Sequence, residues 1–128
     1  MTSSKAIAIL GRVLLSAIFL VSALGKIAHW KATESSIAGR GLPAASLLLV
    51  GAVVFEITGG LSVLSGFKVR AGTIMLLVFL TLATLFFHNF WTYPVAEQQG
   101  QIVHFLKNLA IAGGLLTLFA TSAERPRI

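Results

Sequence analysis

Four apolar stretches, 6–28, 43–65, 71–91 and 101–121, take up most of the chain, and each is long enough to cross a bilayer. A helix rises about 1.5 Å per residue, so about 20 mostly apolar residues span the hydrocarbon. Composition agrees: of 128 residues, 56% are hydrophobic and 11% charged, against roughly 25% charged in an ordinary soluble domain. In lipid every backbone N–H and C=O must be paired within its own segment or in a closed barrel. Runs such as 73–87 lack the strict alternation of a barrel strand, which leaves helices. The expected fold is all-α: an integral membrane antiparallel four-helix bundle forming one domain over residues 1–128, with no length left for a soluble catalytic domain.

Gly39, Gly41 and Pro43 stand before the second stretch, Gly66 after it, and Pro94 with Gly100 before the fourth. The turn from Gly66 to Arg70 is short enough to make the second and third helices antiparallel neighbours. Lys5, Arg12, Lys68, Arg70, Arg125 and Arg127 then share one end of the bundle, while Lys26, Lys31, Arg40 and Lys107 lie towards the other. The larger set marks the cytoplasmic side, so both termini are expected inside, N-in and C-in, with Trp30, Trp91 and Tyr93 as an aromatic belt on the outer face. Arg12 sits too deep in the first stretch for a cleaved signal, so that stretch is expected to remain as a span.

The net charge of +6 is scattered over loops and helix ends rather than gathered in a patch, so the expected partner is the bilayer and not nucleic acid. Cysteine is absent, which excludes disulfides, thiolate metal sites and dithiol relays. No metal site and no covalently held cofactor is expected.

Ionisable side chains within a membrane cost about 2.5 kcal/mol or more, so they face the bundle interior or a wet cavity. On the first helix Arg12, Ser16, Phe19, Ala23 and Lys26 recur at spacings of four and three and share one face. The second carries a lone acid, Glu56, near mid-membrane, on a face with Leu49, Ala52, Gly59, Gly60 and Val63. A carboxylate at that depth must meet a cation or be protonated. Arg12 is the partner nearest in depth, with Lys107 next, and an Arg12–Glu56 ion pair would fix helix register. Thr81, Thr84 and His88 line a stripe of the third helix, and His104, Lys107, Asn108, Ile111 and Gly114 one of the fourth. Antiparallel packing would put Lys26, His88, Asn89, His104 and Lys107 at similar depth, around a polar pocket that opens outward above Glu56. The plainer alternatives are interfacial histidines bonded to backbone or water, and a Lys26 that snorkels to the headgroups.

The early arginine, FLVSALGK at 19–26, the run Glu56-Ile-Thr-Gly-Gly-Leu, Gly66 with Arg70, then His88-Asn-Phe-Trp, Lys107-Asn108 and Gly113-Gly114 together resemble the DoxX family, from Arg12 to about Leu118. Each motif alone is weak; their order and spacing carry the likeness. The resemblance implies a small four-helix protein of the bacterial cell inner membrane. It also implies, more loosely, a quinone-linked role, since the family takes its name from a subunit of a thiosulfate:quinone oxidoreductase and some members accompany membrane redox complexes. The family's arginine, lysine, glutamate and histidine map onto Arg12, Lys26, Glu56 and His88, and no agreed catalytic role comes with them.

Three functions fit these readings. An accessory subunit of a quinone-linked oxidoreductase would hold the quinone carbonyls with donors such as His88, Lys107 or Asn108 and pass protons through Glu56. The chain has no flavin, nicotinamide or cluster motif, so electrons would come from a membrane or peripheral redox partner. A small-molecule or proton permease would also need intramembrane ionisable groups, although no broken helix or inverted repeat is visible. A structural assembly subunit would use them only to lock helices together. A haem held between His88 and His104 is a further, weaker option. Whether the chain turns anything over by itself, and whether it forms an oligomer, stay open at this stage.

Overall fold

The computed structural model describes residues 2–122, and the Arg125 and Arg127 counted above lie outside them. The elements are α1 (Ser3–Ala28), α2 (Trp30–Gly39), α3 (Ala45–Ser65), α4 (Val69–Phe87), a 3-10 turn (Phe90–Thr92) and α5 (Val95–Thr121), with no strand among the described residues. α1, α3, α4 with its following turn, and α5 are long and apolar enough to cross a membrane. They are the four expected spans. Alternating passage brings the start of α1, the α3–α4 turn and the end of α5 to one end of the bundle, here the terminal end. Helix α2 lies at the other.

The spans differ from expectation at their borders. α4 stops at Phe87 rather than at 91, because the chain leaves helical geometry at His88 (φ −121°, ψ 28°), where Tyr93 Oη donates to the freed Phe87 carbonyl at 2.7 Å. α5 starts at Val95 rather than 101. Pro94 precedes it and Glu97 stands in its first turn, where a negative charge suits the helix N-terminus. α2 lies outside the four expected helices, since residues 30–39 are mixed in polarity. Its apolar signal is only Trp30 and Ile37, seven residues apart and so on one face. That face docks on α3: Ile37 is buried with Leu49 and Val53, with Trp30, Leu42 and Phe87 packed around them.

α1 packs along α3, α3 along α4, and α4 along α5, while α1 and α5 meet only lightly. Ser16, Phe19 and Ala23 are the buried positions of α1, and Leu49, Val53, Glu56, Gly59, Gly60 and Val63 those of α3. Phe19, Val63, Leu76, Leu80 and Leu115 make a core that joins all four spans. At the terminal end α3 closes on Gly66, whose φ of 81° admits glycine without strain. The Ser62 hydroxyl lies within hydrogen-bond reach of the carbonyls of Phe67, at 2.6 Å, and Lys68, at 2.9 Å, and so pins this turn. Ser62→Ala is expected to lower stability by about 1 kcal/mol, because it leaves those carbonyls without their donor. Thermal melts in detergent of the variant against the parent measure it.

Candidate functional site

Glu56 sits mid-way along α3 and is 1% exposed. Its partner is Lys26 on α1, with Nζ 2.8 Å from Oε1. The same ammonium donates to Ser22 Oγ, one turn back on α1, at 2.7 Å, and lies 5.2 Å from the centroid of the Phe79 ring on α4. Carboxylate, hydroxyl and aromatic face thus meet the charge on three sides, which offsets much of its desolvation. Phe79 is held in turn by an edge-on contact with Phe19, centroids 6.4 Å apart. The second carboxylate oxygen, Oε2, is buried with no hydrogen-bond partner among the described residues. A buried acceptor left unpaired is unusual and marks a place where another donor fits.

The expected Arg12–Glu56 ion pair is corrected by this geometry. Arg12 folds against the α3–α4 turn, its Nη2 3.3 Å from the point where a Gly66 Cβ would stand. Ten residues of helix, about 15 Å of rise, separate that turn from Glu56. Lys107 does not replace it: it is exposed on α5. Lys26 therefore does not simply snorkel away to the headgroups, but turns in to the acid.

The pair stands at the wall of a cavity of about 1100 Å³. α1 contributes Ser22 and Lys26, α3 Glu56, the position just past α4 His88, α5 Asn108, and α2 closes over it with Thr33. Most of the remaining lining is apolar. Several of those residues, Leu48, Val78, Leu82 and Phe86, are exposed apolar side chains. Exposed apolar side chains at the depth of the spans give the cavity a rim suited to lipid.

Of the expected pocket residues, Lys26, Glu56, His88 and Asn108 line the cavity, while Asn89, His104 and Lys107 do not. α5 turns Asn108 inward, and a helix advances about 100° per residue, so its neighbour Lys107 must face out. Asn108 Nδ2 donates to Thr84 Oγ1 at 2.9 Å, and Thr84 Oγ1 donates to the Leu80 carbonyl at 2.7 Å. Asn89 lies past the end of α4, half-buried. His104 is exposed and stacks on His88, centroids 4.8 Å apart and rings 27° from parallel. Face-to-face rings offer each other their π clouds, not their nitrogen lone pairs, so this arrangement does not fit a haem between them. His88 Nδ1 is 2.8 Å from Gln101 Oε1, a bond that fixes the imidazole at the cavity wall. Neither Gln101 nor Ser22 stood out in the sequence. Ser22 had a usable signal, since four residues separate it from Lys26 on one helix face; Gln101 had none.

Four apolar spans wrapped around a buried acid–base pair and a largely apolar cavity define a multi-pass membrane protein with an intramembrane pocket. The chain belongs to the DoxX family: the family's sequence model matches residues 7–89, a segment that holds Arg12, Lys26, Glu56 and His88 and ends before α5. It is 32% identical over 113 residues to the inner membrane protein YqjF of Escherichia coli (strain K12), across 88% of this chain and 82% of that one. It is 28% identical over 114 residues to the inner membrane protein YphA of the same organism, across 88% and 81% respectively. No solved structure matches the chain. With such relatives and four membrane-length helices, it is a multi-pass inner membrane protein.

Proposed function

We propose that this chain is an accessory subunit of a quinone-linked membrane oxidoreductase system and that its cavity takes the quinone headgroup from the bilayer. The carrying observation is the unpaired Glu56 Oε2, buried beside a lysine at the wall of an apolar cavity whose lining includes exposed apolar residues. A quinone combines a long apolar tail with two carbonyls that become hydroxyls on reduction. The tail suits Leu48, Val78 and Phe86 at the rim. The Lys26 ammonium donates to a quinone carbonyl, and Glu56 Oε2 accepts from a quinol hydroxyl, so the same pair serves both redox forms. Electrons come from a protein partner, and this chain binds and orients.

Protein purified in nanodiscs and titrated with a short-tailed ubiquinone analogue is expected to bind it at micromolar concentration. Glu56→Gln should weaken binding of the quinol more than of the quinone, by about tenfold, the worth of one charge-assisted hydrogen bond. No binding by the well-folded parent protein would end this reading. We also place both termini on the cytoplasmic side, from the excess of basic residues at the terminal end. A reporter enzyme active only outside the cytoplasm should then stay silent when fused after Thr121 and become active when fused at Gly41.

A further inference from the structure

Arg12 and Arg70 take no part in the cavity, and both stand half-buried at the bundle's terminal end. The Nε of each is buried with no hydrogen-bond partner among the described residues. Arg12 reaches from α1 to the α3–α4 turn, where its Nη2 lies 3.3 Å from the position of a Gly66 Cβ. Arg70 opens α4 just past that turn and lays its guanidinium 4.1 Å from the centroid of Phe119 on α5. The depths agree: α1 and α5 touch at Leu15 and Gly114, and from there one turn towards the terminal end leads to Arg12 on α1 and just over one turn to Phe119 on α5.

No acid balances them among the described residues. Glu34 is on α2, Glu56 mid-way along α3, and Glu97 in the first turn of α5, all removed from this end. Two guanidiniums are thus fixed by packing, one against a glycine and one on an aromatic face, with donors to spare and no anion.

We propose that Arg12 and Arg70 form a phosphate-binding site whose ligand is the headgroup of an anionic phospholipid. A planar guanidinium gives paired N–H donors matched to phosphate oxygens. Both arginines stand towards the terminal end of membrane-spanning helices, the level at which lipid headgroups carry their phosphates, and the acyl chains of such a lipid lie along the exposed apolar surface of the spans. Lipid bound here would brace α1, the α3–α4 turn and α5, the three elements these arginines join.

The test is thermal unfolding of the full chain in neutral detergent with added phosphatidylglycerol, phosphatidylcholine or inorganic phosphate. Phosphatidylglycerol is expected to raise the midpoint by roughly 5 °C, and phosphatidylcholine by far less. Arg12→Gln and Arg70→Gln should each remove at least half of that shift relative to their own lipid-free midpoints, and the double variant all of it. Lys31→Gln, an exposed cation at the α2 end, should keep it. If Arg12→Gln does not fold, Arg12→Lys and Arg70→Gln carry the same comparison, since an ammonium lacks the paired donors. A shift produced by inorganic phosphate alone, and lost in both arginine variants, keeps the site and makes its ligand a soluble phosphate. An undiminished shift in the double variant, or equal shifts with both lipids, overturns the proposal.

Discussion

Lys26→Met should destabilise the protein by about 3–5 kcal/mol, because it leaves the Glu56 carboxylate buried without its cation. Methionine keeps the length and the apolar stem of lysine, so packing against Phe79 changes little and the loss is electrostatic. Glu56 is 1% exposed and cannot reach water without opening the contact between α1 and α3. The double change Lys26→Met with Glu56→Leu removes both charges, and its stability is expected to return to the parent's level or above it, since a buried ion pair rarely outdoes well-packed apolar groups. Unfolding in a titration from mild to denaturing detergent compares the four proteins of this cycle. If the single and double variants unfold alike, the two side chains are not coupled, and the pair described above does not hold the helices.

Such a recovery would also bear on function. If the bundle does not need the pair for stability, the quinone binding proposed above is the role left for it to serve. The quinone titration and the stability cycle therefore read the same two residues in independent ways: the double variant should be stable and should not bind.

The inward faces were legible in the sequence because helical periodicity in a chain this apolar leaves few options. Ser16, Phe19 and Ala23 on one helix and Leu49, Glu56, Gly59, Gly60 and Val63 on another are buried as their spacing required, while Ala52, expected on the same face, is only half-buried. Periodicity says which way a side chain points but little about its depth partner on another helix. Arg12 and Lys26 share a face of α1, and choosing between them needed the offset of α1 against α3, which the loop lengths do not fix. α2 is weakly marked in the sequence for a related reason. Its helix rests on two apolar contacts with α3, so its own sequence carries a weak signal and tertiary packing supplies the rest. Lys107 and Asn108 show the limit on α5, where adjacent polar residues could not be told apart until the packing face was known.

Gly59→Val is expected to destabilise the bundle by about 3 kcal/mol, the upper part of the range for overpacking. α3 and α4 approach so closely at this point that a Cβ on Gly59 would stand 2.7 Å from Leu76 Cγ and 3.0 Å from the Gly72 carbonyl oxygen. Leu76 is fully buried in the core and has no free volume to move into, and the carbonyl belongs to helix backbone. The helices must part, as expected where small residues set interhelical distance in lipid. Gly113→Ala is the control: nothing lies within 4 Å of its Cβ position, and alanine should leave stability unchanged or raise it by about 0.5–1 kcal/mol through helix propensity. Melting curves of the two variants should thus move in opposite directions or by very unequal amounts. Parting α3 from α4 would also draw Glu56 away from Phe79, the ring that faces the Lys26 ammonium, so quinone binding should fall in Gly59→Val and stay intact in Gly113→Ala.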